Sequence, residues 1–387
     1  MRLAYVSDQL LPRNATDTAQ TLSMVSAFGQ AGVDVELVLP VRWGGGAVSA
    51  EQLAEHYQVA PSFRVRAVHS GYPGIRGFEK MSHAVRAALL RELREFDLVY
   101  TRNLPVVCAA LAATRQPVFY ETYRPWPRQS VSKRWLFSAL RSRPRLAGLV
   151  LHSRLAARSY SDLGYEDGRL LVAHNGFDLA SVGEPLSRET ARQACDLPPD
   201  RFTVTYSGRV SMKKGVLLLL AMARALPRAQ FVIVGSEGRG RVEREAETLD
   251  NVRVVPWCRS GEMLPYLYAA DALVIPPTVG PLERVGNTVL PIKTYLYLAI
   301  GRPIVAAATA DLREVLEDGR NAVLVPPDDL DAAILAVRSL MESSELCARL
   351  GAEARTEAQR YTWDQRAARI SGFIEARLAA VGDGGSR

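Results

Sequence analysis

Short apolar runs, each closed by glycine, proline or a polar cluster, recur along the chain. Leu3–Val6, Val33–Leu39, Asp97–Thr101, Pro117–Tyr120, Gly148–Leu151 and Leu170–Ala173 read as buried strands. Between them the apolar positions change to helical spacing. Leu22, Val25 and Phe28 follow Asp17, which can cap a helix, and Gly32 falls just past its end. Glu79–Phe96 and Pro105–Ala113 read as further helices. Near-continuous apolar strands joined by amphipathic helices predict an α/β fold with a doubly wound parallel sheet covered on both faces.

From Asp178 to Arg201 the texture becomes polar and proline-rich, which predicts a linker over 179–201 holding one short helix. A second series then begins, with strands at Phe202–Tyr206, Phe231–Val234, Val252–Val255, Ala272–Ile275, Pro303–Ala306 and Ala322–Val325. The expected domains are 1–178 and 202–362, with a long closing helix after Thr362 and a flexible tail at 381–387. Two such sheets facing each other make a crevice at the carboxyl ends of their strands, where ligands bind.

At 387 residues and 48% apolar composition, the chain has material for two cores. No stretch reaches the ~20 apolar residues of a membrane-spanning helix, and Met1–Ser7 runs into a strand without a signal-peptide layout. The four cysteines, Cys108, Cys195, Cys258 and Cys347, have no metal-ligand spacing. A cytoplasmic protein without disulfides or zinc is expected. The net charge of +7 favours anionic partners.

That charge is unevenly placed. The strand Thr203–Tyr206 runs through Ser207-Gly208 into Arg209, and Lys213-Lys214-Gly215 opens the apolar helix beginning at Val216. Arginine offers a planar fork, lysine a mobile point charge, and a helix N-terminus partial positive charge. The pattern can hold anionic oxygens or be a plain surface cluster; it lacks P-loop spacing. Further along, Gly235-Ser-Glu-Gly238, Val255-Pro-Trp257 and the loop 276–290 also fall at strand ends. That loop leads into Pro291–Gly301, which reads as a helix with proline at its start and glycine at its end. The backbone N–H groups around Thr288, Val289 and Leu290 would then face an anion.

In their order and spacing these pieces resemble the GT-B glycosyltransferases of family 4, the retaining, nucleotide-sugar-dependent class. Ser207-Gly-Arg209 with Lys213-Lys-Gly215 and His174-Asn-Gly-Phe-Asp178 match. So do Gly235-Ser-Glu-Gly238, Leu267–Ala272, Pro291-Ile-Lys293, Leu298–Val305 and Tyr361-Thr-Trp363. The resemblance covers nearly the full length. It implies two Rossmann-like domains facing across a cleft, the closing helix (about 363–380) completing the first. It also implies a nucleoside-diphosphate sugar donor, a sugar, lipid-linked or small-molecule acceptor, and neither metal nor cofactor. Arg209 and Lys214 would be the catalytic cations that neutralise the departing diphosphate. Gly208, Asn287, Thr288, Val289 and Leu290 would approach the donor, with Trp257 and Cys258 near its base.

Three positions depart from the family pattern. Leu296 stands where a donor-binding glutamate is usual, and Thr288 where an earlier glutamate falls; Glu283 is the candidate to compensate. The first loop, Pro12–Thr18, lacks paired glycines. Its Asn14, Thr16 and Asp17 contact acceptor hydroxyls, or Asp17 is simply the helix cap. Tyr123 replaces a common histidine, and either lines the sugar site or packs within its loop. Leu296 also motivates an alternative on the same fold: a cyclitol or amine substrate, or sugar epimerisation. A non-catalytic scaffold is the third reading.

Residues 124–145 interleave cations with Trp126, Trp135, Leu136, Phe137 and Leu140 and carry no carboxylate. This suits peripheral contact with an anionic membrane, or a solvated helix with one apolar face on the sheet. No nucleic-acid module is present. His152 ends a strand and His174 sits at the domain junction, so either can face the crevice.

Overall fold

The computed structural model describes residues 1–42, 44–69, 76–279 and 290–384. The chain divides into two compact units, residues 1–175 with 363–387 and residues 176–362. Both are parallel α/β sheets with helices between the strands.

The first unit contains β1 (Arg2–Val6), β2 (Asp34–Val41), β3 (Arg64–His69), β4 (Leu98–Thr101), β5 (Val118–Thr122), β6 (Leu146–Leu151) and β7 (Leu170–Val172). Their order is β3-β2-β1-β4-β5-β6-β7, parallel throughout. The connection from β3 to β4 passes over β2 and β1, so the strand order reverses between β1 and β4, the position where such sheets bind ligands. One core packs Leu22, Val25 and Phe28 with Leu3 and Tyr5. Ala367, Ile370 and Ile374 of the helix Trp363–Gly384 join that core, which ties the closing helix to this unit.

β3 escapes the sequence reading. Its Arg64-Val-Arg-Ala-Val-His69 carries two arginines because it is an edge strand, where outward charge blocks further pairing. The helix expected over Glu79–Phe96 is two pieces, an α-helix at Arg76–Ala88 and a 3₁₀ turn at Arg91–Glu95. The break lets Leu93 and Phe96 turn into the core beneath the sheet. Asp17 is not the helix cap. The helix Thr16–Gln30 is capped at Ala15, and Asp17 sits in the first turn, where its carboxylate complements the helix dipole.

The second unit contains β8 (Thr203–Ser207), β9 (Gln230–Ser236), β10 (Val252–Pro256), β11 (Ala272–Val274), β12 (Ile304–Ala307) and β13 (Val323–Val325), ordered β10-β9-β8-β11-β12-β13. Here too the reversal falls beside the first strand, between β8 and β11. Residues 179–201 belong to this unit; their helix Arg188–Ala194 buries Ala191 and Arg192.

Candidate functional site

The carboxyl end of β8 is built for close backbone approach. Gly208 has φ +130° and donates its N–H to Val234 at 2.9 Å, while Val210 donates to Gly235 at 3.3 Å. A Cβ on Gly235 would come within 2.6 Å of the Gly208 carbonyl, so Gly235 is required by space and Gly208 by its positive φ. Tyr297 fixes the turn from the opposite side: its hydroxyl accepts from the Ser207 N–H at 2.7 Å. Arg209 follows directly, exposed and paired with Glu237 at 3.1 Å. Residues Met212–Lys214 form a 3₁₀ turn, and Gly215, at φ +72°, begins the helix Val216–Ala225. Lys214 is exposed on that turn.

A third cation completes the group, and the sequence reading left it unassigned. Lys293 Nζ lies 3.7 Å from the centre of the Tyr206 ring, a cation–π contact. A Cβ on Gly208 would come within 2.8 Å of the same Nζ. Burial pushes the Lys293 ammonium down to about 7, and Lys214 pushes in the same direction. A lysine packed against a glycine turn and repelled by a second lysine gains from any anion placed there. Its signal was the Pro291-Ile-Lys293 segment at a helix start.

The helix behind this group is Lys293–Ile300, with Ile292 as its N-cap and Gly301 at φ +71° ending it. It therefore starts two residues later than the proline at position 291 predicts. Thr294 and Tyr295 donate to the Pro291 and Ile292 carbonyls, so a tight first turn satisfies their N–H groups. Leu290 precedes the helix with its side chain buried. Leu296 packs partly buried on the apolar core. Glu283, Asn287, Thr288 and Val289 lie outside the described residues. Beside the cations, at the carboxyl ends of β9 and β10, is a cavity of ≈ 910 Å³ lined by Ser236, Glu237, Gly238, Arg239, Pro256 and Trp257, among others. Trp257 is 64% exposed, and Cys258 is half-buried.

The first unit presents different chemistry at its strand ends. Glu121, at the end of β5, is 2% exposed. Its Oε1 accepts from His152 Nε2 at 2.7 Å and Arg366 at 3.1 Å, and Arg102 lies 3.6 Å away. Tyr100 donates to Oε2 at 2.5 Å. Burial pushes the carboxyl up, but Arg366, Arg102 and His152 together hold it well below the ordinary carboxylate value. Burial keeps His152 neutral, its pKa pushed down to about 4. Arg366 also donates to the His174 carbonyl at 2.9 Å. These partners come from β4 and the residue after it, the turn after β6 and the closing helix.

The residues expected on the acceptor side are scattered by comparison. Asn14 is exposed and 3.1 Å from His56 Nε2. Thr16 is exposed at the start of its helix, and Asp17 accepts from Gln9 at 3.2 Å. Tyr123 follows β5, with its ring 6.2 Å from His152 and Arg124 lying over it. In the basic segment, the helix Val131–Arg141 buries Phe137 and Leu140 while Trp135 is 74% exposed. Among the described residues no cluster could hold a metal ion, and no helix is long and apolar enough to cross a membrane.

Two family models match separate parts of the chain: Glycosyltransferase Family 4 over residues 19–181 and Glycosyl transferases group 1 over residues 201–343. A D-inositol 3-phosphate glycosyltransferase of Xylanimonas cellulosilytica is 31% identical over 53% of this chain and 51% of its own length. A protein of the same name from Streptosporangium roseum is 29% identical over 60% of this chain and 55% of its own. The chain thus spans about half the length of the relatives it matches. Solved structures agree over nearly the whole fold. Anabaena HepE in complex with UDP has a TM-score of 0.73 at 17% identity, covering 97% of this chain and 100% of that one. The sucrose-phosphate synthase of Thermosynechococcus elongatus has a TM-score of 0.74 at 18% identity, covering 98% and 99%.

Proposed function

We propose that this chain, which belongs to the family 4-like glycosyltransferases of GT-B fold, moves a sugar with retention from a nucleoside diphosphate to an acceptor hydroxyl. The observation that carries the reading is the convergence of Arg209, Lys214 and Lys293 around the Gly208 turn, at the carboxyl end of the strand where the strand order reverses. Two of the three lack a carboxylate partner among the described residues, and the third has only the exposed Glu237. Such a group favours a diphosphate.

In this reading the acceptor oxygen bonds to the anomeric carbon as the bond from that carbon to the diphosphate breaks. The hydroxyl proton passes to the departing phosphate oxygen on the same face, so neither a metal nor a separate protein base is needed. The three cations meet the charge that develops on the leaving group, and removing one such group typically costs about 10²–10³ in rate. The cavity beside Trp257 is the place for the base. UDP is the first candidate, because the HepE neighbour holds it. The relatives' name makes a phosphorylated cyclitol the first acceptor to try. Peripheral contact with an anionic bilayer through the exposed face of 124–145 belongs to the same proposal.

The test is product analysis by proton NMR after incubation with UDP-glucose and a phosphorylated inositol, then with other nucleotide sugars. The expected product keeps the donor's anomeric configuration and disappears with Arg209→Ala. An inverted product, or turnover unchanged in that variant, overturns the reading.

A further inference from the structure

The second unit has another cavity, at the opposite end of its sheet from Arg209. Its volume is ≈ 710 Å³, within the ~300–1,000 Å³ of small-molecule sites. It is bounded by the segments leading into β8, β11 and β12, that is, by the amino ends of the strands. Five arginines, Arg188, Arg192, Arg201, Arg302 and Arg355, line it against two carboxylates, Asp200 and Asp271.

Part of this charge is structural. Asp271 is buried and accepts from Arg188 at 2.6 Å, from the Thr203 N–H at 2.7 Å and from Arg192. Arg192 is itself buried and also donates to the Ala269 and Pro199 carbonyls, locking the helix Arg188–Ala194 onto the sheet. Asp271 is therefore engaged through both of its oxygens.

Arg302 and Arg355 are not used up in this way. Neither has a carboxylate partner among the described residues. Arg302 donates to the Tyr268 carbonyl at 2.7 Å, yet its Nε is buried without a partner. Arg355 donates to the Ile300 carbonyl at 3.2 Å and lies against Gly301, where a Cβ would come within 2.7 Å of its Nε. Burial drives the Arg302 guanidinium below its ordinary value, Arg188 and Arg355 push the same way, and Asp271 opposes them. Two like charges held close in a half-buried cavity repel each other, and an anion between them reverses the sign of that interaction. Ser344 lines the same cavity and begins the helix Ser344–Ala358, whose N-terminus adds partial positive charge.

We propose that this cavity is a second anion site, which binds a phosphate-bearing small molecule through Arg302, Arg355 and the amino end of the Ser344 helix. A tetrahedral phosphate, with more oxygens than a carboxylate and up to two charges, can engage both guanidinium forks and the helix end at once. The site is separate from the nucleotide reading: the helix Lys293–Ile300 carries Lys293 at one end and leads into Gly301-Arg302 at the other.

Pyrophosphate titrated calorimetrically into the full chain tests this, because it can occupy both regions. Wild type is expected to bind two equivalents and Arg209→Ala/Lys214→Ala one. Adding Arg302→Gln/Arg355→Gln to that variant should weaken the remaining event at least about tenfold, as expected for losing a charge-assisted contact. Ser344→Glu is the check on folding. It sits at an exposed helix start where a carboxylate is favourable, and it should weaken the same event. Parallel titrations with inorganic phosphate and glycerol phosphate separate the two sources of the ligand. Equal binding marks a site for the free ion, and tighter binding of glycerol phosphate a site for a phosphoester. Undiminished binding in both the Arg302→Gln/Arg355→Gln and the Ser344→Glu proteins overturns the proposal.

Discussion

At the strand ends of the first unit, Arg102 and Arg366 close around Glu121 inside the protein, with Tyr100 and His152 taking up the remaining bonds. At the strand ends of the second, Arg209 and Lys214 stand exposed and Lys293 packs against an aromatic face and a glycine turn. The same residue types thus serve two purposes. In the first unit the cations are matched by a buried anion and bind parts of the fold together across long stretches of sequence. In the second they are left undermatched, and an external anion is the natural partner. Burial with compensation makes structure; the undermatched cations are what the proposed diphosphate site rests on.

Breaking the matched cluster should have the largest effect. Glu121→Gln leaves Arg366 and Arg102 buried without a counter-charge, and such losses typically cost about 3–5 kcal/mol. Urea denaturation should show the loss, together with release of the closing helix that Arg366 anchors. A change under about 1 kcal/mol, within the range of an ordinary surface substitution, would mean that the network is ornamental.

Acid should act on the same unit. His83 and His152 are buried neutral, each with its pKa pushed down from 6.5 to about 4 by burial. Between those values the unfolded chain binds protons that the folded chain does not, so stability is full above pH 6.5 and falls as the pH drops toward 4. The depressed Glu121 carboxyl acts at lower pH: its stabilisation is intact above the ordinary carboxylate value and disappears as pH falls on through its lowered value. Denaturation midpoints measured from pH 7.5 to 4 should decline, and His83→Leu should flatten the decline. A flat profile in the unaltered protein contradicts this.

The undermatched group gives the smallest and most specific effect. Lys293 titrates at about 7, and an anion beside it favours the protonated form. Nucleoside diphosphate binding should therefore take up a proton and weaken above pH 7, by at most about tenfold per pH unit for one linked proton. Lys293→Met should bind more weakly and lose most of that pH dependence. Calorimetry in buffers of different ionisation enthalpy measures the proton directly.

These contrasts also explain what was legible in the sequence. Buried parallel strands are near-continuous apolar runs, so Leu3–Val6 or Phe231–Val234 stood out. β3 did not, because an edge strand carries Arg64 and Arg66 outward. The Arg209/Lys214 pair was visible because its residues are neighbours around one glycine turn. Lys293 was visible as a residue but not as a site, since only the fold brings it against Gly208. The Glu121–Arg366 pair joins residues 245 positions apart, and no local pattern announces it. Asp17 suits a cap by residue type, but the chain turns into the helix at Ala15, and of its two readings the cap is the one that falls.

The most direct test of the central claim is thermal-shift binding of UDP, with GDP, ADP, CDP and dTDP beside it, to wild type and to Arg209→Ala/Lys214→Ala. One nucleotide at 100 times its dissociation constant should stabilise wild type by about 2.7 kcal/mol and leave the variant unmoved. Equal stabilisation of both proteins, or none at millimolar concentration, would contradict the account.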